Sequence, residues 1–439
     1  MVRCPASVSN HPLIELRPWR DPCDVFAEYS TRPYCVWLDT VVCEGISVLA
    51  AEPAKIISTS GDPFSALAEE LALRHVASEQ PFPVGAAIGY FGYDLKNVVE
   101  RLPSNAVDDL GLPRCWFGFY DNLLVFDHGA HQLFEVGLDP AKRDKPPAAS
   151  RIAFERLSST PHHGDLRSNF TRDSYRAAVL RAKQYIAAGD IYQVNLSQRF
   201  QCDVDASPPE VYLALRKSNP APYGAYLDIG AAQILSTSPE CFLNIRDRHV
   251  ITRPIKGTRP RGATPADDAR IAAELLASPK DNAELVMITD LERNDLGRVC
   301  EFGSVRVSEL VCVETYATVH HLVSTIEGVL RGDVTHVDCV RACFPGGSIT
   351  GAPKIRAMEI IDELEPHARG VYTGAIGFLG FNRLTHLNIA IRTAVHQNGR
   401  LTFHSGGGIV SDSEPDAEYD ETFAKARGIL NAIEQLRLR

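Results

Sequence analysis

The chain has 439 residues, a formal net charge of -10 and an apolar fraction of 45%. This length exceeds the usual single core, so two domains or one large interleaved domain are expected. No apolar run is long enough to span a membrane, and the acidic balance disfavours a nucleic-acid partner. The N-terminus lacks the apolar core of a signal peptide, and the 11 cysteines form no CxxC pair. We therefore expect a cytoplasmic protein with reduced thiols.

Short β-branched or aromatic runs dominate the first third of the chain. They read YCVWLDTVV, GAAIGYFGYDL and WFGFYDNLLVFDH, which predicts antiparallel strands. Residues 139–168 are rich in Pro, Ser, Lys, Asp and His and predict a linker. We place a boundary there, with an N-terminal region over residues 1–168 and a second domain over residues 169–439.

Helices and strands follow one another irregularly after the linker. Helices are predicted over residues 171–188, 265–279, 280–295, 353–365 and 415–437. Strands are predicted over residues 191–200, 225–229, 240–245, 370–381, 386–396 and 400–410. This irregular order predicts an α+β fold with large antiparallel sheets.

Two pairs of acidic residues share one spacing on two predicted helices. Asp281 and Glu284 are three residues apart on the first, and Glu418 and Glu421 repeat the spacing on the second. If the pairs faced each other across a cleft, a divalent cation would relieve their repulsion, and oxygen-only ligation suits Mg²⁺. The same spacing is more often found on solvated helix surface.

Glycine-rich segments and an isolated arginine are further candidates for ligand contacts. FPGGSITGAPK, residues 344–354, precedes a helix, and HSGGGIV, residues 404–410, would let a ligand approach the backbone. Structural turns would explain both segments equally well. Arg392 is expected in the middle of the strand LNIAIRTAV, where a buried guanidinium must be paired with a protein or a substrate carboxylate. His321 is ambiguous by itself, because core histidines are common.

The segment RPIKGTRPRG, residues 253–262, gathers four cations in an acidic chain. A lysine amine is a nucleophile only when it is unprotonated, and neighbouring cations favour that form. We expect Arg253 and Arg259 to lower the pKa of Lys256. The alternative is that Lys256 merely pairs with an acid.

Ten segments in a fixed order resemble the chorismate-utilising enzymes. They are GDIYQVNLSQRF, TSPECFLNI, RPIKGTRPRG, LVMITDLERNDLGRV, HHLVSTIEG, GGSITGAPKIRAMEII, VYTGAIGF, NIAIRTA, SGGGIV and DETFAKAR. The resemblance runs from about residue 170 to the C-terminus and is weaker before it. It implies large antiparallel sheets packed as a sandwich with helices outside, and a chorismate-binding catalytic domain over residues 169–439.

Two positions are similar to the aminodeoxychorismate synthase subgroup, which aminates chorismate at C4. Lys256 lies in PIKGT, whereas anthranilate synthase large subunits typically carry PIAGT. Gln193 stands where isochorismate and salicylate synthases have a water-activating lysine, so it indicates ammonia as the nucleophile. The resemblance implies 4-amino-4-deoxychorismate as product, and anthranilate synthase activity is the alternative.

The resemblance also implies roles for individual residues. Glu284 and Glu421 would hold Mg²⁺ on the ring carboxylate of chorismate, with Asp281 and Glu418 as outer support. Arg392 and Tyr372 would bind the enolpyruvyl carboxylate. Further substrate contacts would come from Gly257, Thr258, Thr350, Gly406, Gly407 and Gly408.

Three residues would carry the chemistry. Glu240 would be the general acid that protonates the departing C4 hydroxyl, which requires a raised pKa. Lys256 would attack ring C2 and form a covalent adduct, which ammonia then displaces by attack at C4. His321 would line the ring site.

The source of ammonia and an N-terminal pocket complete these expectations. The chain lacks the G-x-C-x-G-x-x turn of a class I glutaminase, so free ammonia or a separate glutamine amidotransferase subunit is expected. A separate lyase would then complete 4-aminobenzoate for folate synthesis. CEGISVLA, residues 43–50, resembles the family's tryptophan pocket, although a role in the core alone is equally compatible. The pocket would be formed by Asp39, Ser47, Pro222, Tyr223 and Gly224.

Overall fold

The computed structural model describes residues 12–41, 45–138, 165–316 and 319–437. The strands in these residues are β1 (Leu13–Arg17), β2 (Val36–Asp39), β3 (Ile46–Ala50), β4 (Lys55–Thr59), β5 (Ala86–Phe91), β6 (Cys115–Tyr120), β7 (Asn122–Asp127), β8 (Gln132–Gly137), β9 (Arg167–Ser168), β10 (Gln193–Asp203), β11 (Tyr223–Asp228), β12 (Gln233–Ser238), β13 (Cys241–Arg246), β14 (His249–Arg253), β15 (Ile255–Pro260), β16 (Arg306–Thr315), β17 (Val319–Val329), β18 (Gly351–Ala352), β19 (Ala375–Gly380), β20 (Leu384–Ile389), β21 (Thr393–Gln397) and β22 (Arg400–Ile409).

The helices carry clear sequence signals at their ends. Thr171 caps one helix in a capping box, and Ser278 accepts from the N–H of Asp281 at the start of another. The helices are α1 (Pro22–Tyr29), α2 (Phe64–Leu73), α3 (Lys96–Val99), α4 (Arg172–Ala187), α5 (Pro208–Ser218), α6 (Pro265–Leu276), α7 (Pro279–Gly297), α8 (His336–Cys343), α9 (Lys354–Leu364) and α10 (Pro415–Arg437). In the described ranges, no helix is both long and apolar enough to cross a membrane.

Two large antiparallel sheets form the framework. Counting the described residues, the first has 12 strands in the order β1-β8-β7-β3-β2-β11-β12-β21-β22-β10-β18, with β9 beside β10. The second has 10 strands in the order β15-β17-β14-β13-β20-β19-β5-β6-β4, with β16 beside β17. The predicted antiparallel sheets are therefore confirmed.

The main hydrophobic core contains side chains from both sheets. Val194 and Ile234 of the first sheet and Leu243 and Leu387 of the second belong to one buried cluster. A separate cluster covers the other face of the first sheet with residues of α1, α5 and α10, among them Phe26, Tyr212 and Ile429. Helices thus lie outside the sheets, as predicted for a sandwich.

Both parts of the chain contribute strands to both sheets. Leu38 pairs with Ala225 in the first sheet, and Ile88 pairs with Phe378 in the second. Most of the predicted linker, residues 139–164, lies outside the described residues. The division at residue 168 stays a prediction about the chain, while its two parts share one core.

Candidate active site

One cavity of about 910 Å³ collects most of the predicted site residues. Its walls come from β10 and β22 of the first sheet, β15 and β17 of the second, and the helices α7 and α10. The predicted residues on its wall are Glu240, Lys256, Gly257, Thr258, Asp281, Glu284, His321, Tyr372, Arg392, Gly406, Gly408, Glu418 and Glu421.

A bulge at Gly257 directs Lys256 towards the cavity. The β15–β17 ladder shifts register between Lys256 and Thr258, and Gly257 has a φ of +57°. A side chain at Gly257 would meet Leu275 Cδ1 at 2.9 Å and Asp281 Cβ at 3.1 Å. Both the backbone conformation and the close neighbours therefore favour glycine at this position.

The amine of Lys256 is held inside the protein. Its Nζ donates to the carbonyl oxygen of Ser348 at 2.9 Å. Burial lowers the pKa of Lys256, and the Lys425 cation acts in the same direction, while the neighbouring Glu284 and Glu240 oppose the shift. The neutral, nucleophilic form is therefore more populated than in a free lysine.

The two arginines predicted to act on Lys256 are each paired with a carboxylate. The Arg253 guanidinium pairs with Glu314, and the Arg259 guanidinium pairs with Asp281 at 2.8 Å. Neither arginine is among the main causes of the lowered pKa of Lys256. Each arginine's positive charge is balanced by its own carboxylate. Burial, and not the neighbouring arginines, is the main cause of the lowered pKa of Lys256.

Glu240 lies near the lysine in a buried setting. Its side chain is buried, and the N–H of Ile255 donates to its Oε1 at 3.3 Å. Burial raises the pKa of Glu240 above its ordinary value. This environment favours the protonated carboxyl that a general acid needs.

The four predicted carboxylates line the same cavity, two from α7 and two from α10. Glu421 pairs with Lys425 at 2.7 Å, and Ser413 donates its hydroxyl to Glu418 at 2.6 Å. Among the described residues, no three His, Cys, Asp or Glu side chains converge closely enough to hold a metal alone. Mg²⁺ needs only one or two protein carboxylates when substrate and water complete its coordination. The oxygen donors of Glu284 and Glu421 fit such a partial site.

Arg392 differs from its predicted placement. It lies between β20 and β21 with a φ of +49°, and not in the middle of a strand. Its Nη1 donates to Oδ1 of Asn219 at 3.2 Å. Within the described ranges no protein carboxylate forms a salt bridge with Arg392. Burial lowers its pKa, and the Glu240 carboxyl opposes this shift. A guanidinium without a protein counter-ion is suited to an anionic ligand.

The remaining predicted contacts occupy different positions around the cavity. The Tyr372 ring stacks on His404 with centroids 5.0 Å apart. Gly407 faces α10, because a side chain there would meet Glu418 Oε2 at 3.2 Å and Glu421 Oε1 at 3.4 Å. Thr350 lies behind the wall, where its hydroxyl donates to the carbonyl of Gly346 at 3.0 Å. Thr350 therefore supports the turn above the cavity.

His321 is a neutral side chain in this cavity. Its Nδ1 lies 2.9 Å from the Thr258 hydroxyl, and burial lowers the pKa of His321 to about 4. At neutral pH it can exchange hydrogen bonds without carrying a charge.

A family model described as chorismate binding enzyme matches residues 33–431. The chain belongs to the chorismate binding enzyme family. It is 42% identical over 424 residues to aminodeoxychorismate synthase component 1 of Escherichia coli, covering 93% of this chain and 92% of that protein. It is 44% identical over 386 residues to anthranilate synthase component 1 of Thermus thermophilus, covering 85% of this chain and 83% of that protein.

A solved structure is similar over most of the chain as well. Anthranilate synthase component I from Streptococcus pneumoniae superimposes with a TM-score of 0.76 and 33% identity, covering 89% of this chain and 94% of that chain. The fold expected of a chorismate-utilising enzyme is therefore confirmed. Some relatives are named aminodeoxychorismate synthase and others anthranilate synthase, which are two different reactions.

The predicted tryptophan-pocket residues lie together in this family member. Asp39 is buried, pairs with Nε of Arg216 at 2.6 Å, and lies opposite Gly224 in the β2–β11 ladder. Ser47 donates to Asp39 Oδ1 at 3.4 Å, and the Pro222 carbonyl accepts from Thr40. The Tyr223 ring packs edge-on against His386. Cys43 and Glu44 lie outside the described residues, and tryptophan binding stays a prediction.

Sequence patterns missed several cavity residues. The wall also contains Asn195, Lys280, Arg369 and Lys425, which the motifs above do not indicate. Lys425 follows Glu421 by four residues on α10, a helical ion-pair spacing that could have indicated it. Asn195 and Arg369 reach the cavity only through tertiary contacts, for which one sequence has no pattern.

Glu292 is a buried carboxyl that the sequence did not indicate either. It is 7% exposed on α7 and accepts a hydrogen bond from the Thr252 hydroxyl at 2.8 Å. Burial raises the pKa of Glu292 to about 8, and Glu240 and Asp295 add to the shift. A glutamate with a raised folded-state pKa stabilises the fold below its unfolded pKa, and this contribution is lost as the pH rises through the folded value.

Glu292→Gln is therefore expected to flatten the pH dependence of stability. Glutamine keeps an acceptor for Thr252 but cannot ionise, so the variant should gain about 1 kcal/mol or more over the wild type between roughly pH 5 and pH 8. Urea unfolding at several pH values measures this difference. The control is Asp290→Asn on the exposed side of α7. Within the part of the chain that the structure describes, Asp290 pairs with Arg293 alone. Parallel pH curves for wild type and Glu292→Gln would contradict the expectation.

Proposed function

We propose that the chain aminates chorismate at C4 to give 4-amino-4-deoxychorismate. The observation that supports this most strongly is the Lys256 amine, which lines the cavity in a setting that lowers its pKa. A lysine of this kind suits covalent catalysis, because the unprotonated amine can attack an electrophilic carbon. The relatives named aminodeoxychorismate synthase component 1 are consistent with this reaction.

The charges around the cavity suit a dianionic substrate. Arg392 would bind the enolpyruvyl carboxylate, with Tyr372 beside it, because its guanidinium lines the cavity and its side-chain partner among the described residues is a neutral amide. Glu284 and Glu421 would hold Mg²⁺, which when bound supplies positive charge to the ring carboxylate. Asp281 and Glu418 would support these ligands from the same helices.

The covalent step uses Lys256 and Glu240 together. The neutral amine forms a bond to ring C2, the ring double bond shifts, and the C4–oxygen bond breaks. Glu240 gives its proton to the departing oxygen, so that water leaves instead of hydroxide. Ammonia then attacks C4, the double bond shifts back, and the C2–nitrogen bond to Lys256 breaks. His321 would line the ring site as a neutral hydrogen-bonding group.

Ammonia would come from solution or from a glutamine amidotransferase subunit. The relatives' designation as component 1 supports a second component. In this proposal the product retains its pyruvyl group, and a separate lyase completes 4-aminobenzoate for folate synthesis in the cytoplasm.

Product identity tests the proposal. The protein, chorismate, Mg²⁺ and ammonium should yield a compound with the mass of aminodeoxychorismate, which a 4-aminobenzoate-forming lyase converts to 4-aminobenzoate. An anthranilate synthase would instead release the fluorescent ortho-amino acid, a second candidate favoured by the relative from Thermus thermophilus. Fluorescent anthranilate as the sole product would overturn the proposal.

A further inference from the structure

The carbonyl oxygen of Ser348 accepts two side-chain hydrogen bonds at the cavity wall. The Lys256 Nζ donates to it at 2.9 Å, and Nδ2 of Asn195 donates to it at 2.7 Å. Asn195 lies on β10 and lines the same cavity. The amide and the amine therefore share one acceptor.

This acceptor is fixed in place by its surroundings. Ser348 lies in the turn Gly347–Ile349, which the Thr350 hydroxyl closes by donating to the carbonyl of Gly347 at 3.2 Å. The N–H of Asn195 donates to the carbonyl of Thr350 at 2.8 Å. The Arg369 guanidinium donates to the carbonyl of Asn195 at 2.8 Å. Asn195 thus holds the turn through its backbone and its side chain together.

The strength of the hydrogen bond to the shared carbonyl depends on the protonation state of the lysine. A carbonyl oxygen has two lone pairs, so it accommodates both donors. The attraction of a charged ammonium to the carbonyl is stronger than that of a neutral amine, so a competing donor weakens the ammonium contact more. The Asn195 amide should therefore favour the neutral amine while fixing its direction.

We propose that Asn195 is a positioning residue for the Lys256 amine and acts through the shared Ser348 carbonyl. This inference rests on the function proposed above. Other charged groups face Lys256 from three directions: Glu284 and Glu292 from α7, Glu240 from the β12–β13 connection, and Lys425 from α10. They remain unchanged in an Asn195 variant, so a change in Lys256 can be assigned to the carbonyl.

Asn195→Ala should lower kcat for amination roughly 3- to 10-fold near neutral pH, because one hydrogen bond to the acceptor is removed. KM for chorismate should change little. The loss should shrink at alkaline pH, where Lys256 is neutral in both proteins. Asn195→Asp should give a larger loss, because it removes the donor and adds a negative charge that favours the ammonium. This isosteric variant also covers the case in which alanine disturbs folding.

A second readout works without substrate. Acetic anhydride reacts with an amine only when the amine is unprotonated. The extent of acetylation of Lys256, measured at several pH values on the proteolytic peptide that contains it, therefore reports the protonation of this lysine. The midpoint should rise by roughly half a pH unit to one pH unit in Asn195→Ala. The matched control is Asn219→Ala. Asn219 lines the same cavity, but its side chain contacts Arg392. It should raise KM and leave the Lys256 midpoint unchanged.

The outcomes separate this proposal from the proposed function. An unchanged Lys256 midpoint, with a loss of kcat that is equal at every pH, would overturn the positioning role. A shifted midpoint in a protein whose amination survives Lys256→Ala would retain the positioning role and overturn the covalent function. A shifted midpoint with a pH-dependent loss of kcat supports both.

Discussion

Lys256→Ala is expected to lower amination of chorismate by on the order of 1,000-fold or more, because the proposed covalent route depends on this amine. Lys256 is the cavity lysine whose Nζ donates to the Ser348 carbonyl beside the buried Glu240. Turnover with ammonium measures the loss. Intact mass after incubation with chorismate alone should show an adduct on the wild type that the variant lacks.

Two control variants separate charge from nucleophilicity. Lys256→Arg keeps a cation but cannot attack, so it should be as inactive as alanine. Lys280→Ala removes a lysine on the same cavity wall and should mainly raise KM for chorismate. If Lys256→Ala turned over at a rate near that of the wild type, the covalent assignment would be wrong.

The sequence predicted the framework of the molecule well because its signals are local. Capping residues and helical spacing predicted α4, α7, α9 and α10, and the strand runs predicted most of β10, β13 and β22. The i, i+3 spacing of Asp281 and Glu284 fixed their shared face, although spacing alone favoured a solvated surface. The cavity that joins them to α10 depends on tertiary packing.

The charged residues next to Lys256 in the sequence did not predict which groups mainly shift its pKa. Arg253 and Arg259 flank Lys256 in sequence, yet each is neutralised by a distant carboxylate. The cation with the largest effect on the pKa of Lys256 is Lys425, which is 169 positions later in the chain. Burial, the dominant cause, depends on how the sheets and helices close around the side chain, and no pattern near RPIKGTRPRG indicates it.

Glu284→Gln is expected to abolish the dependence of chorismate binding on Mg²⁺. In the proposed site Mg²⁺ relies on very few protein carboxylates, so losing one should weaken metal-dependent binding by on the order of 100-fold. Calorimetric titration with chorismate, with Mg²⁺ and with EDTA, measures this without turnover. Glu284 suits the test better than Glu421, because removing Glu421 would also release the Lys425 ammonium that pairs with it at 2.7 Å.

The matched control for this titration is Asp281→Asn, one turn earlier on α7. Asp281 already pairs with Arg259 at 2.8 Å, so it is less available to a metal, and its loss should weaken binding by a smaller factor. The released Arg259 would also lie near the anionic substrate and partly offset the change. A chorismate affinity in the wild type that is unaffected by EDTA, or a full Mg²⁺ response in Glu284→Gln, would show that the carboxylates of α7 and α10 do not bind the metal.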